Sequence, residues 1–212
     1  MLEGPPHFTS EVVSSEEEPL ILVDEVDREI GHLSKGACHD GMGVLHRAFS
    51  LFIFNSTGEL LLQQRSADKR LWPLFWSNSC CSHPRRGETM EVATERRLAE
   101  ELGMVTSGHH LFTFQYQVPY LDIGSENEMC WVFAGLSDQP PRPNSTEIAD
   151  LRWITAETLD RELQEQPEIF TPWFQMEWPR VRDVFRRTLD LPLQQTPGEI
   201  SGLESPPGAT GE

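Results

Sequence analysis

The chain has 212 residues, enough for one substantial core, with 38% hydrophobic residues and a formal charge of −17 at pH 7. Such an acidic balance argues against nucleic-acid binding, which relies on a basic face. No apolar run approaches the ~18 residues of a membrane span, and the N-terminus has no basic flank or apolar centre of a signal peptide.

A cytoplasmic protein with no membrane partner is therefore expected, as a monomer or weak dimer. In that compartment a disulfide among Cys38, Cys80, Cys81 and Cys130 is disfavoured, and the sequons at Asn55 and Asn144 are chance matches. Lys35 and Lys69 are the only lysines, so nearly all the positive charge is arginine. A salt-rich cytosol fits that composition, and so does arginine-rich codon bias with acidic tails.

In chain order, residues 1–18 and 191–212 read as disordered tails around a single domain at 19–190. "LILVDEVDREIGHL" (20–33) predicts a hairpin turning around Asp24–Arg28. "HRAFSLFIFN" (46–55) and "LLLQQRS" (60–66) predict a second, stronger hairpin across "STGE". A helix is expected over 88–102, stopped by Gly103. Strands follow at 110–118, 128–136 and 151–154, then helices over about 155–165 and 174–190. The class is α+β, a mixed sheet with helices packed on it.

"SNSCCSHP" (77–84) puts two cysteines and a histidine in a polar stretch, where a metal site or thiolate chemistry are both open readings. If extended, it points Cys80 and Cys81 to opposite sides. Four of the seven histidines, His32, His39, His46 and His83, lie where ligands would be useful, and Glu126 and Glu128 share a face if a strand starts there. On spacing alone these carboxylates are either cation ligands or simply solvated.

"ERRLAEELGM" resembles the Nudix box, G-x5-E-x7-R-E-U-x-E-E-x-G-U. Aligned on Arg96, it keeps Glu88, Leu98, Glu100, Glu101, Gly103 and Met104, but Ser82 replaces the glycine and Arg97 a glutamate. That exchanges a metal ligand for a possible phosphate ligand. Together with "LHRAFSLFIFN", "LLLQQRS", "WSNSCCSHP", "ENEMC" and "TPWF", the chain from about Leu20 to Asp190 closely resembles the type I isopentenyl-diphosphate isomerases. The resemblance implies a Nudix-like mixed sheet sandwiched by helices, with additional N-terminal strands.

It further implies a reversible 1,3-allylic proton shift between isopentenyl and dimethylallyl diphosphate, with Cys81 and Glu128 on opposite faces of the substrate. Tyr116 would assist Glu128, and the face of Trp173 would stabilise the carbocation. A divalent ion (Mn²⁺, Zn²⁺ or Mg²⁺) would sit among His39, His46, His83, Glu126 and Glu128. A Mg²⁺ accompanying the diphosphate would be held by Glu101 and the Cys81 carbonyl, and the diphosphate itself by Lys35, Arg65, Lys69 and Arg97. His7, His32, His109 and His110 would be surface residues and Cys80 a packing residue. Rival readings are a Nudix pyrophosphohydrolase acting on a nucleotide diphosphate and a catalytically dead binding module. Arg97 and the cysteine loop oppose the first, and the complete set of active-site positions opposes the second.

Overall fold

The computed structural model describes residues 9–190, with side chains as far as residue 184. The expected tail at 191–212 and residues 1–8, including His7, lie outside the described residues. The first hairpin is as expected: β1 (Pro19–Val23) pairs antiparallel with β2 (Glu29–Ser34). A one-turn helix, α1 (Lys35–Cys38), follows and delivers the chain to His39.

The next two strands, β3 (His46–Phe54) and β4 (Leu60–Arg65), form a hairpin only at its tip, where Phe54 faces Leu60. Between them the sheet admits β6 (Cys80–Ser82), which pairs with Phe49–Leu51, and β1 touches β3 at His46. The opposite edge of β3 is paired along its whole length, and in parallel, by β8 (Gly124–Leu136). A parallel partner so far along the chain leaves no local sign in the sequence. A strand buried on both faces also reads as a continuous apolar run instead of an alternation, and β3 is buried at every position except Arg47. The two-residue β5 (Trp76–Ser77) joins the far end of β4. The antiparallel β7 (His109–Tyr120) flanks β8, and β9 (Ile148–Ile154) flanks β4.

Two apolar layers cover this sheet. One face packs Phe49, Leu51, Ile53, Leu61 and Cys80 against Leu98 and Leu102 of α2 (Met90–Leu102). The other packs Phe52, Phe54, Leu62 and Val132 against α3 (Ala156–Glu165) and α4 (Pro172–Asp190). Each fully buried Leu or Phe contributes roughly 1.5–3 kcal/mol of transfer free energy, an upper bound because unfolded chains already bury some surface. Helix α2 begins at Thr89, whose hydroxyl accepts from the Val92 amide, and ends at Gly103 with φ 60°. A Cβ there would also lie 3.0 Å from the Arg142 side chain. No described helix is long and apolar enough to cross a membrane.

Residues 9–18 differ from the disordered tail expected of their composition. Thr9 bridges to Asn144, and the Glu11 carbonyl accepts from the Asn144 amide at 2.8 Å. The Val13 carbonyl accepts from Arg97 at 2.8 Å. Polar residues are held here because their partners are buried groups of the domain, which composition does not register.

Candidate active site

Strand register builds the centre of the site. In β8, Glu128 is the direct neighbour of His46 on one side and of Tyr116 on the other. The Tyr116 hydroxyl donates to Glu128 Oε2 at 2.6 Å. His46 Nε2 lies 3.6 Å and His83 Nε2 3.2 Å from Glu128 Oε1, and the two ring nitrogens are 3.2 Å apart. His39 arrives from the end of α1. Its carbonyl accepts from the Ser125 amide at 3.0 Å, an approach possible because residue 124 is glycine. A Cβ at Gly124 would fall 2.3 Å from that same carbonyl oxygen. The approach brings His39 Nε2 to 2.9 Å from Glu126 Oε2.

Ligand atoms of His39, His46, His83 and Glu128 all lie within 4.8 Å of one another, so the group can hold a metal ion. Two details fit that use. The Nδ1 atoms of His39 and His46 donate to the carbonyls of Lys35 and Val44, each at 2.7 Å, which turns both Nε2 atoms into the cluster. Glu126 Oε2, although close to His39, is buried without a hydrogen-bond partner. A cation between the two would satisfy it.

The protons in this cluster are contested. Burial opposes charge on His39, but the Glu126 and Glu128 carboxylates outweigh it and raise its pKa to about 9. Burial, helped by neighbouring His46 and His39, lowers His83 to about 4. Burial would raise Glu128, yet hydrogen bonds from His46 and His83 hold it well below the usual carboxylate range. Burial pushes the Cys81 thiol up to about 12, against the nearby Arg65 charge.

The two adjacent cysteines do face opposite ways. Cys80 is fully buried against α2, whereas Cys81 lines a cavity on the other side of the strand. The same cavity is lined by Glu126, Glu128, Tyr116 and Trp173, and by all four expected anion-binding cations, Lys35, Arg65, Lys69 and Arg97. Arg65 is held by the Trp72 and Leu71 carbonyls at 3.0 and 2.9 Å, with its guanidinium 5.2 Å from the Trp173 ring centre. The loop that supplies those carbonyls carries Trp72 at φ 47° and Leu74 at φ 63°, left-handed conformations costing about 1–3 kcal/mol each. The buried Trp173 Nε1 has no partner.

Glu101 is not brought to the cavity wall. It lies 2% exposed behind Arg97, accepting from Nε at 2.9 Å and Nη2 at 2.5 Å. The other acidic residues of the box are similarly engaged, Glu88 by Arg96 and Glu100 by Arg96 and Arg97. Carboxylates paired to arginines are poorly placed to gather metal for a hydrolytic water. Of the remaining histidines, His109 and His110 are exposed and His32 is half-buried.

Sequence reasoning missed four residues. Ser14 and Glu16 line the cavity mouth, with the Lys35 ammonium donating to Ser14 Oγ at 2.7 Å. Glu147, only 4% exposed, pairs with Lys69 and lies 3.4 Å from Arg97. It sits in "NSTE", a stretch that carries only turn signals. Glu177 is fully buried beside Cys130, its Oε2 without a partner. Its signal was visible, since it interrupts the apolar face formed by Trp173, Phe174, Trp178 and Val181.

Residues 44–174 match the NUDIX domain family. The chain is 43% identical over 163 residues to isopentenyl-diphosphate Delta-isomerase 1 of Photorhabdus laumondii, covering 76% of this chain and 93% of the relative. It is 40% identical over 156 residues to the isopentenyl-diphosphate Delta-isomerase of Nocardia farcinica, covering 73% and 89%. Among solved structures, a Deinococcus radiodurans protein superposes with a TM-score of 0.60 at 26% identity, covering 80% of this chain and 98% of that one. The MutT protein of Methanosarcina mazei shares the fold, with a TM-score of 0.54 at 17% identity, covering 69% and 96%.

Proposed function

The chain belongs to the isopentenyl-diphosphate Delta-isomerases of the NUDIX domain family, and from that premise we propose how its residues move a proton across isopentenyl diphosphate. The carrying observation is that one cavity holds Cys81, the Glu128–Tyr116 pair and Trp173 together with four cations. Lys35, Arg65, Lys69 and Arg97 bind the diphosphate, which fixes the five-carbon tail against the thiol and the carboxyl.

An unactivated alkene needs a strong, well-placed acid in a dry pocket. One group protonates the terminal carbon, and the other removes a proton from the methylene beside the cationic carbon, so the double bond moves and no atom is lost. In the protonation state described, Cys81 holds a proton and Glu128 has room for one. A reversible shift passes through the opposite state in every turnover, and there Glu128, with Tyr116 hydrogen-bonded to it, delivers the proton while the Cys81 thiolate receives one. Trp173 and the aromatic wall formed with Tyr116 and Trp72 exclude water from the tertiary cation and offer it a π face.

A divalent ion held by His39, His46, His83, Glu126 and Glu128 would supply Lewis acidity that orients Glu128 and tunes its acidity. Imidazoles suit Zn²⁺ and carboxylates suit Mn²⁺, so this mixed donor set favours either over Mg²⁺, which prefers oxygen ligands alone and enters with the diphosphate. The four cysteines are free, which suits a cytoplasmic setting.

The test is incubation with isopentenyl diphosphate, Mn²⁺ and Mg²⁺ in D₂O, followed by NMR. Growth of dimethylallyl methyl signals with deuterium incorporation, and without phosphate or pyrophosphate release, is expected. Release of phosphate from a nucleoside diphosphate derivative, with no methyl signals, would instead establish the hydrolase.

A further inference from the structure

Two of the four cations on the cavity wall are already paired to carboxylates. The Lys69 ammonium is paired to Glu147. Arg97 commits Nε and Nη2 to Glu101, lends Nη1 to the Val13 carbonyl, and has Glu147 3.4 Å from Nη2. Glu101 and Glu147 are both almost fully buried, at 2% and 4% exposure. Behind the cationic wall, therefore, stands a second layer of two carboxylates shielded from water.

That layer changes what the wall can accept. A free diphosphate, carrying several negative charges, must draw Lys69 toward itself, leaving Glu147 buried beside a new anion and sharing the single charge of Arg97 with Glu101. Uncompensated buried charge is among the most destabilising arrangements a protein can hold. A diphosphate that arrives with Mg²⁺ brings two positive charges, which compensate the carboxylates when Lys69 turns away. Resting on the diphosphate site proposed above, we propose that Glu147 makes this site accept a diphosphate only as its magnesium complex. Glu147 is thus a specificity-determining residue, acting through Lys69 and Arg97 and not on the reacting carbons.

The inference is tested by calorimetric titration of inorganic pyrophosphate into the full chain, with Mg²⁺ and with a chelator. Wild type is expected to bind at least about tenfold, or 1.4 kcal/mol, more weakly without Mg²⁺. Glu147→Gln keeps the shape and removes the charge. It should bind Mg²⁺-free pyrophosphate about tenfold more tightly than wild type, with the Mg²⁺ dependence largely gone. A purely structural role would weaken both forms of the ligand together, and that outcome overturns the inference. So does equal wild-type affinity with and without Mg²⁺, a result that needs no variant to fold and leaves the anion site standing. Failure of wild type to bind pyrophosphate under either condition overturns the site itself and the inference with it.

Discussion

Replacing Arg97 by glutamate restores the Nudix box at that position, and the structure predicts that the folded state will not tolerate it. Arg97 is 3% exposed and is the common partner of Glu101, at 2.5 Å, Glu100, at 3.3 Å, and Glu147, at 3.4 Å. Removing it strands buried carboxylates, a loss of about 3–5 kcal/mol. The introduced carboxylate adds repulsion of up to about 4 kcal/mol per neighbour at ~4 Å and an effective dielectric of 20. Protonation caps that cost, since holding one carboxyl neutral at pH 7 costs about 3.5 kcal/mol. A destabilisation of about 5 kcal/mol or more follows, comparable with the whole stability of many domains.

The expected readout is urea denaturation followed by circular dichroism, with the variant largely unfolded at pH 7. It should recover toward pH 5. The pKa of Glu101 is already raised, by burial and by Glu147, and losing Arg97 raises it further. A carboxyl raised in the folded state stabilises below its unfolded pKa, and that stability is lost as pH rises through the folded value. A variant within about 1 kcal/mol of wild type at pH 7 would refute the reasoning and imply a much wetter cluster than the burial indicates.

Cys81→Ala should abolish isomerisation while leaving the urea midpoint nearly unchanged. Cys80→Ala, in the α2 core, should keep most of its activity and lose about 1–2 kcal/mol of stability; equal activity losses would contradict the assignment. Tyr116→Phe removes the 2.6 Å hydrogen bond to Glu128, so kcat should fall at least about tenfold with KM little changed. Glu177 is raised by burial to about 8, so its contribution is complete below the ordinary carboxylate range and is lost as pH rises through 8. Wild-type stability should therefore decline between pH 7 and 9 by about 1 kcal/mol more than that of Glu177→Gln, which keeps only the fall due to His39, whose pKa is raised to about 9; parallel curves would sink this. Elemental analysis should find divalent metal in wild type that a chelator removes along with activity, and His46→Ala should retain little; full retention would exclude His46 as a ligand.

How much of this could be read from the chain varies with the range of the interaction. The helix ending at Gly103 and the hairpin around Asp24–Arg28 rest on local turn and cap chemistry, and both are found. The site residues came from motifs, and the structure gathers Cys81, Glu128, Tyr116, Trp173 and the four cations around one cavity. The opened hairpin of β3 and β4 was not legible, because its replacement partners are distant in sequence. Nor was Arg97's fate: helix propensity treats arginine and glutamate alike, and only the tertiary neighbours reveal three carboxylates. Glu147 and residues 9–18 fell in polar stretches whose partners are buried groups elsewhere.

The parallel zipper between β3 and β8 also makes the site a proofreader of the fold. His46 faces Glu128 only in one alignment of the two strands, and a slip of one residue would send Glu128 through to the opposite layer. An ion that demands both side chains rewards the correct alignment and no other, so metal added during refolding should favour the native pairing. Mutational tolerance should follow the same line. The exposed stretch 138–140, ahead of the buried Asn144 and Glu147, should tolerate lengthening, whereas one residue inserted within 46–50 or 124–130 should scatter the His and Glu side chains even if the chain still folds.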